Sequence, residues 1–182
     1  MLIPARLIRA LDPCDSGAEA KEMSKQTIQI YRWIFKCDPE ATQRAYMKVP
    51  TGCAEECGCD TCQNFLAARN YAYPLEGLAL FSRLGIAYNR EAESYHNARL
   101  DSGLHSYGGW FHFIGSIEKG DDLAKATDTI AFQNSFEKIA EHFSVGFTSN
   151  AVLIPKSFEG NTVVQLEFQT EIPWLIDKPE ER

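Results

Sequence analysis

The sequence predicts an α+β fold with a mainly antiparallel sheet and three or four helices packed on one side. Runs of strand-forming residues outnumber helical runs, and the two kinds do not alternate regularly along the chain. The clearest strand, over 162–172, places apolar side chains on one face and polar ones on the other. Its apolar positions are Val164, Leu166, Phe168 and Ile172, and its polar positions are Gln165, Glu167, Gln169 and Glu171.

The first quarter of the chain contains signals for three elements. Ser16 and Glu19 have the spacing of a capping box, which predicts a short helix over about 17–26. The run 28–37 is rich in aromatic and β-branched residues on both faces and predicts one strand, ended by a turn at 38–39. A second strand is expected over 44–49.

The middle of the chain predicts a pair of helices followed by a hairpin. The first helix runs from about residue 60 to 73 and places Phe65 and Arg69 on the same side. Pro74 suits the start of the second helix, and Gly85 is a typical residue just beyond a helix end. The runs 91–100 and 107–118, joined by the turn 101–103, predict two antiparallel strands.

Apolar residues at helical spacing predict one long helix beyond residue 128, with Thr127, Asp128 or Thr129 as its cap. They are Phe132, Phe136, Ile139, Ala140 and Phe143. A further short strand is expected at Gly146 and Phe147.

Composition and charge limit the functions to be considered. The 182 residues carry 18 Lys and Arg against 25 Asp and Glu, a net charge of −7, which disfavours binding to nucleic acid or to anionic membranes. No run is long enough to span a membrane, and the N-terminus lacks the apolar core of a signal peptide. We expect a soluble cytoplasmic protein with a single domain over 1–182, in which about 1–15 and 177–182 are flexible.

Four of the six cysteines lie within ten residues, in the pattern C-x3-C-x-C-x2-C. Thiols stay reduced in the cytoplasm, and clustered thiolates are ligands for soft metal ions. The pattern predicts a structural zinc site, whose fourth ligand is the first of these cysteines or a distant histidine. The predicted ligands are Cys53, Cys57, Cys59 and Cys62.

The same segment admits two other interpretations. Cys59 and Cys62 form a C-x2-C pair at the expected start of a helix, an arrangement typical of dithiol redox sites. The neighbouring Glu55, Glu56 and Asp60 are expected to raise the thiol pKa values, which disfavours this chemistry. The third interpretation is a loop of reduced thiols without metal or catalysis, and the isolated Cys14 and Cys37 are expected to be inert.

Three histidines lie in or beside the expected hairpin. Pairing of its strands would bring His96 close to His112, where two imidazoles can ligate a metal or act as acid and base. His112 stands between two phenylalanines, so a hydrogen-bonded core position is the main expectation. His105 precedes the second strand, and Gly108 and Gly109 predict a β-bulge within it.

Three phrases of the sequence resemble those of a family of uncharacterised bacterial single-domain proteins. They are CGCDTCQNF at 57–65, YGGWFHF at 107–113 and VVQLEF at 163–168, the last followed by Pro173-Trp174. The resemblance spans about residues 45–176 and implies a bacterial origin and a single domain. It assigns no activity, cofactor, partner or functional residue.

The sequence therefore predicts a small protein that acts by binding, with the cysteine loop as a zinc-stabilised surface element. The alternative is a thiol-dependent redox enzyme that uses Cys59 and Cys62, with His96 or His112 as the base. A third possibility is a subunit whose aromatic-rich sheet binds a protein partner or a second copy of the chain. The short motifs of nucleotide-binding proteins, α/β-hydrolases and zinc peptidases are absent, so no catalytic residue is identified.

Overall fold

The structure is a computed structural model that describes residues 25–180. The predicted helix over about 17–26 lies outside the described residues, except that Gln26 begins a strand. Cys14 also lies outside them. The strands are β1 Gln26–Ile30, β2 Trp33–Cys37, β3 Glu93–Arg99, β4 His105–Lys119, β5 Glu137–Ala140, β6 Phe143–Thr148 and β7 Val163–Ile172. The helices are α1 Pro39–Tyr46, α2 Cys53–Glu56, α3 Asp60–Ala67, α4 Arg69–Ala72, α5 Leu75–Leu84 and α6 Thr129–Asn134.

All seven strands of the described chain join one antiparallel sheet, which confirms the predicted α+β class. The order is β1-β2-β4-β7-β6-β5, and β3 also pairs with β4. Residues 105–110 of β4 pair with both β3 and β7, so these two strands lie on opposite sides of β4. Farther along, β2 takes the place of β3 beside β4.

Helix α1 closes the gap between β3 and β2 along the edge of β4. The Tyr46 hydroxyl donates to the carbonyl of His112 at 2.9 Å and accepts from its N–H at 3.0 Å. The Thr42 hydroxyl accepts from the N–H of Ile114 at 3.0 Å. Two side chains of α1 thus satisfy backbone groups that a strand would otherwise pair, as a buried edge requires.

Aromatic rings fill the core between the sheet and helices α3 to α5. Phe168 of β7 lies 5.7 Å from Phe111 of β4 and 5.4 Å from Tyr73, measured between ring centroids. Phe65 of α3 and Phe81 of α5 complete this cluster. The apolar face predicted for 162–172 is confirmed, because Val164, Leu166, Phe168 and Ile172 are all buried. The opposite face is not solvated as predicted, since Gln165 is buried and its Oε1 accepts from the N–H of Val152 at 2.9 Å.

The predictions for 60–84 and for the hairpin are largely confirmed. The first predicted helix is interrupted at Ala68 and forms α3 and α4. Helix α5 follows Pro74 and ends at Gly85, whose φ of 76° is left-handed. The irregularity expected at Gly108 and Gly109 lies instead in β3, between His96 and Ala98. The two glycines make room for rings, since a Cβ would lie 2.6 Å from Tyr95 at Gly108 and 2.6 Å from Phe168 at Gly109.

Two predictions near the start of the described chain are wrong. The single strand over 28–37 is a hairpin of β1 and β2, turned at Tyr31 with a φ of 48°. The strand over 44–49 is instead the last turn of helix α1 and the turn that follows it. Asp38 caps this helix by accepting from the N–H of Ala41 at 2.8 Å, and Pro39 occupies its first turn.

The long helix predicted beyond residue 128 is also wrong. Asp128 is its cap as expected, but α6 ends at Asn134 and two strands follow. Phe143 begins β6, where it pairs with Thr170 of β7 and packs 6.2 Å from the Phe168 ring. Pairing with the free edge of β7 and burial of Phe143 contribute more free energy than the local helical propensity. Both depend on residues that are distant in sequence, so the local pattern does not reveal them.

Candidate metal centre

The cysteine segment forms two short helices separated by a tight turn. Cys57 ends α2, and its N–H donates to the carbonyl of Cys53 at 3.1 Å. Cys59 is the residue that precedes α3, and Cys62 lies in the first turn of that helix. Gln63 holds the turn by donating to the Gly58 carbonyl at 2.7 Å. This arrangement brings the sulfur atoms of three cysteines close together.

The sulfur atoms of Cys57, Cys59 and Cys62 all lie within 4.8 Å of one another, and those of Cys57 and Cys59 are 3.1 Å apart. A tetrahedral zinc ion with Zn–S bonds near 2.3 Å separates its sulfur ligands by about 3.8 Å. The three sulfurs are therefore close enough together for one metal ion to bind them all, with Cys57 and Cys59 closer to each other than in a tetrahedral site. Cys59 is exposed and Cys62 is buried, so the site lies at the surface.

Cys53 does not join this triangle. Its thiol donates to Oε1 of Glu93 at 3.0 Å, and burial together with this hydrogen bond raises its pKa to about 12. No fourth His, Cys, Asp or Glu of the described chain places a ligand atom within 4.8 Å of all three sulfurs. Three of the four predicted ligands thus converge, and the fourth coordination position has no ligand among the described residues.

The thiols of Cys59 and Cys62 differ in their affinity for protons. Thr61, whose hydroxyl lies 3.3 Å from the Cys59 sulfur, lowers the pKa of Cys59 to about 7. Burial and the neighbouring sulfurs of Cys57 and Cys59 raise the pKa of Cys62. A negative charge on Cys59 therefore opposes a second one on Cys62, and a bound cation would relieve that repulsion.

The sequence predicts that the acidic neighbours of the cluster raise the pKa of its thiols. For Cys59 this is wrong, because its pKa is lowered. Glu55 forms an ion pair with Arg69, and Asp60 forms one with Lys178. Both carboxylates are thereby compensated by side chains far away in sequence. The sequence places Arg69 on the same helix side as Phe65, and a charged residue on an apolar side is the signal that could have pointed to a buried acidic partner.

Arg69 also anchors the segment that leads into the cluster. Its guanidinium lies 2.7 Å from the Glu91 carboxylate, whose side chain is 0% exposed. The N–H of Cys53 donates to the Glu91 carbonyl at 2.9 Å, so the same residue holds the start of α2. Gly52 must be small here, because a Cβ would lie 2.8 Å from the Glu91 carboxylate.

The chain after β7 crosses α3 and fixes its position. The Asn64 side chain donates to the carbonyl of Pro173 at 3.1 Å and accepts from the N–H of Leu175 at 2.6 Å. Lys178 bonds to Asp60 and to Gln63 in the first turn of α3. The helix that carries Cys62 is thus held at two points by the segment that follows β7, which fixes the position of the triangle.

A cavity of about 480 Å³ adjoins the cluster, and Cys57 stands in its wall. Its lining includes polar and charged residues, namely Thr51, Cys53, Glu56, Arg90, Glu91 and Glu93. Its apolar lining consists of Val49, Ala92, Leu153 and Pro155. The sequence gives no local signal for this cavity, because its walls come from three separate stretches of the chain.

The predicted approach of His96 to His112 is wrong. His96 lies opposite Tyr107, so these two share a face of the sheet, whereas His112 points to the other face. His96 instead contacts His105, with 2.9 Å between ring nitrogens. His112 is a buried core residue as expected, and its Nε2 lies 2.9 Å from the Val152 carbonyl.

His112 makes stability depend on pH. Burial disfavours its imidazolium form and lowers its pKa to about 4, below the ordinary value of 6.5. The unfolded chain therefore binds a proton first, so this contribution is intact above about pH 6.5 and is lost as the pH falls towards 4. We expect His112→Gln to reduce the fall in unfolding free energy between pH 7 and 4.5 by about 2 kcal/mol.

Urea unfolding at the two pH values measures this difference. His142→Gln, at an exposed position, controls for the loss of a titratable side chain. An unchanged pH dependence in His112→Gln would contradict a neutral, buried imidazole.

Comparison with known proteins finds no matching family model, curated protein or solved structure. The bacterial family resemblance therefore stays a prediction. No helix within residues 25–180 has the length and apolar character needed to cross a bilayer.

Proposed function

We propose that this protein binds zinc through Cys57, Cys59 and Cys62 and that the metal orders the loop between α2 and α3 as a surface for binding. The convergence of the three sulfurs carries the proposal, because atoms within 4.8 Å of one another can bind a single metal ion. Zinc is preferred to calcium or magnesium because thiolates are soft ligands.

The supports of α3 agree with a metal-binding role. Asn64, Gln63 and Lys178 fix the helix and the turn before it without using any thiol of the triangle. A preformed set of ligands loses less conformational entropy when the ion binds. The three thiolates would leave zinc with one coordination position that the described side chains do not fill.

Cobalt titration of the full chain tests the proposal, because thiolate ligands give Co²⁺ a strong charge-transfer absorption. We expect one equivalent to bind, zinc to displace it, and Cys59→Ser or Cys62→Ser to weaken the affinity at least about tenfold. Cys53→Ser is the matched control: it makes the same change in the same loop, but its sulfur bonds to Glu93.

The outcomes separate the possible ligand sets. Unchanged affinity in Cys53→Ser, with loss in the other two variants, supports three thiolates. An equal loss of cobalt affinity in all three variants would show that the loop rearranges and that Cys53 also binds the metal. If the purified chain binds neither cobalt nor zinc, the proposed function is wrong.

A second candidate function is dithiol redox chemistry at Cys59 and Cys62. The observation that favours it is their unequal placement: Cys59 is exposed just before α3, and Cys62 is buried one turn later. An exposed attacking thiol backed by a buried resolving thiol is the arrangement that thiol–disulfide exchange uses.

This candidate predicts a reversible disulfide in the metal-free protein. We expect glutathione buffers to oxidise Cys59 and Cys62 as a pair, and iodoacetamide to modify Cys59 before Cys62 because only Cys59 is exposed. Peptide mapping by mass spectrometry measures both, and Cys37, which is buried apart from the cluster, serves as the internal control. Independent modification without any disulfide would exclude the redox function.

A further inference from the structure

Cys57 belongs to both the sulfur triangle and the wall of the 480 Å³ cavity. The cavity volume is within the range of about 300–1,000 Å³ that is usual for small-molecule sites. A molecule bound there would lie beside one of the three thiolates. The cavity, and a fourth position for which residues 25–180 supply no ligand, together indicate a site that takes an outside ligand, as three-ligand zinc centres do.

The charge of the cavity wall favours a cation. Three carboxylates line it, from Glu56, Glu91 and Glu93, against the single guanidinium of Arg90. Arg69 is shared between Glu55 and Glu91, and the carboxylates of Glu56 and Glu93 remain in excess of Arg90. A zinc ion with three thiolates adds a further net charge of −1, and the whole chain carries −7. The field in the cavity is therefore negative.

The remaining wall suits a short hydrocarbon chain. Leu153, which is 62% exposed, and Pro155 form one side of the cavity. Val49 and Ala92 add apolar surface. A ligand with methylene groups between a cationic end and a metal-binding end would match both the charge and the apolar surface.

We propose that the cavity binds a small cationic thiol, whose sulfur fills the fourth position of the zinc centre while its ammonium group faces Glu56 and Glu93. This inference rests on the proposed function. The thiol releases its proton to solvent, and its sulfur forms the fourth bond to the metal, which remains divalent. Thiolate is the donor that best matches a metal already held by three thiolates.

The test uses the full chain loaded with Co²⁺ and two probes with the same donor group, 2-aminoethanethiol and 3-mercaptopropionate. We expect 2-aminoethanethiol to raise the charge-transfer absorption by about a third, because a fourth thiolate joins three. Its half-saturating concentration should be about tenfold lower than that of 3-mercaptopropionate, and the difference should shrink at high salt.

Variants that remove single carboxylates test which side chains cause the preference for the cationic thiol. Glu56→Gln and Glu93→Gln should each reduce about threefold the ratio between the half-saturating concentrations of 3-mercaptopropionate and 2-aminoethanethiol. Two variants are used because Glu93 also accepts from Cys53, whereas Glu56 is exposed, accepts only from the Thr51 hydroxyl among the described residues, and is expected to be dispensable for folding. Glu76→Gln, on the exposed side of α5 and away from the cavity, is the matched control and should leave the preference unchanged.

The results distinguish this inference from the proposed function. Cobalt bound without any response to either thiol, or with an equal response to both, overturns the cationic ligand while the metal site stands. A preference unaffected by both cavity variants also overturns it. Failure to bind cobalt at all overturns the metal site and this inference together.

Discussion

Replacing Arg69 by methionine is expected to lower the free energy of unfolding by about 3–5 kcal/mol. The Glu91 carboxylate is buried and pairs with this guanidinium at 2.7 Å, so the variant leaves an uncompensated charge in the interior. Methionine keeps much of the volume of the arginine stem, so the loss reports the charge rather than a cavity. Urea unfolding monitored by tryptophan fluorescence measures it.

Two further variants test whether the loss of stability comes from the buried Arg69–Glu91 ion pair. Arg44→Met removes an exposed i,i+4 pair with Glu40 and should change the unfolding free energy by less than about 0.5 kcal/mol. Arg69→Met combined with Glu91→Leu removes both charges and should recover much of the loss. The loss should also be smaller at acidic pH, since burial raises the pKa of Glu91 and a protonated carboxyl needs no guanidinium. A double variant no more stable than Arg69→Met would contradict this account.

Replacing Phe168 by alanine should cost a similar amount, about 3–5 kcal/mol. Its ring is 1% exposed and contacts the rings of Phe65, Tyr73, Phe111 and Phe143. It also lies against Gly109, where a Cβ would approach it within 2.6 Å. The neighbours belong to the sheet, to α3 and to the residue that follows α4, and they cannot collapse fully into the space, so a cavity would remain.

Chemical denaturation with circular dichroism measures this loss. Tyr71→Ala, at a position 64% exposed in α4, is the aromatic control and should change stability by about 0.5 kcal/mol or less. A loss near that of Tyr71→Ala would mean that the ring is not at the centre of the core. Metal affinity should be retained in Phe168→Ala where it remains folded, because a phenylalanine ring supplies no ligand to the metal.

The candidate site was only partly predictable from sequence. Local spacing identified the four clustered cysteines. Three of them, Cys57, Cys59 and Cys62, lie at or just before the start of α3, so the local chain alone brings their sulfurs together. The fate of Cys53 was not predictable, since its partner Glu93 lies 40 residues away and becomes its neighbour only when β3 forms. The cavity and the Arg69–Glu91 pair depend on the same long-range assembly.

The sequence by itself determined the elements whose signals are local and agree with their burial. Strand β7 has one apolar face, and helix α5 has Pro74 before it and Gly85 after it, so both formed as expected. Tertiary structure decided the region after residue 134, where helical periodicity yielded to pairing between β6 and β7. It also decided that Cys53 bonds to Glu93 instead of joining the other three sulfurs. The physical reason is the same in both cases: backbone pairing, burial and charge compensation are supplied by distant residues, and their free energy exceeds the small preferences that a local pattern records.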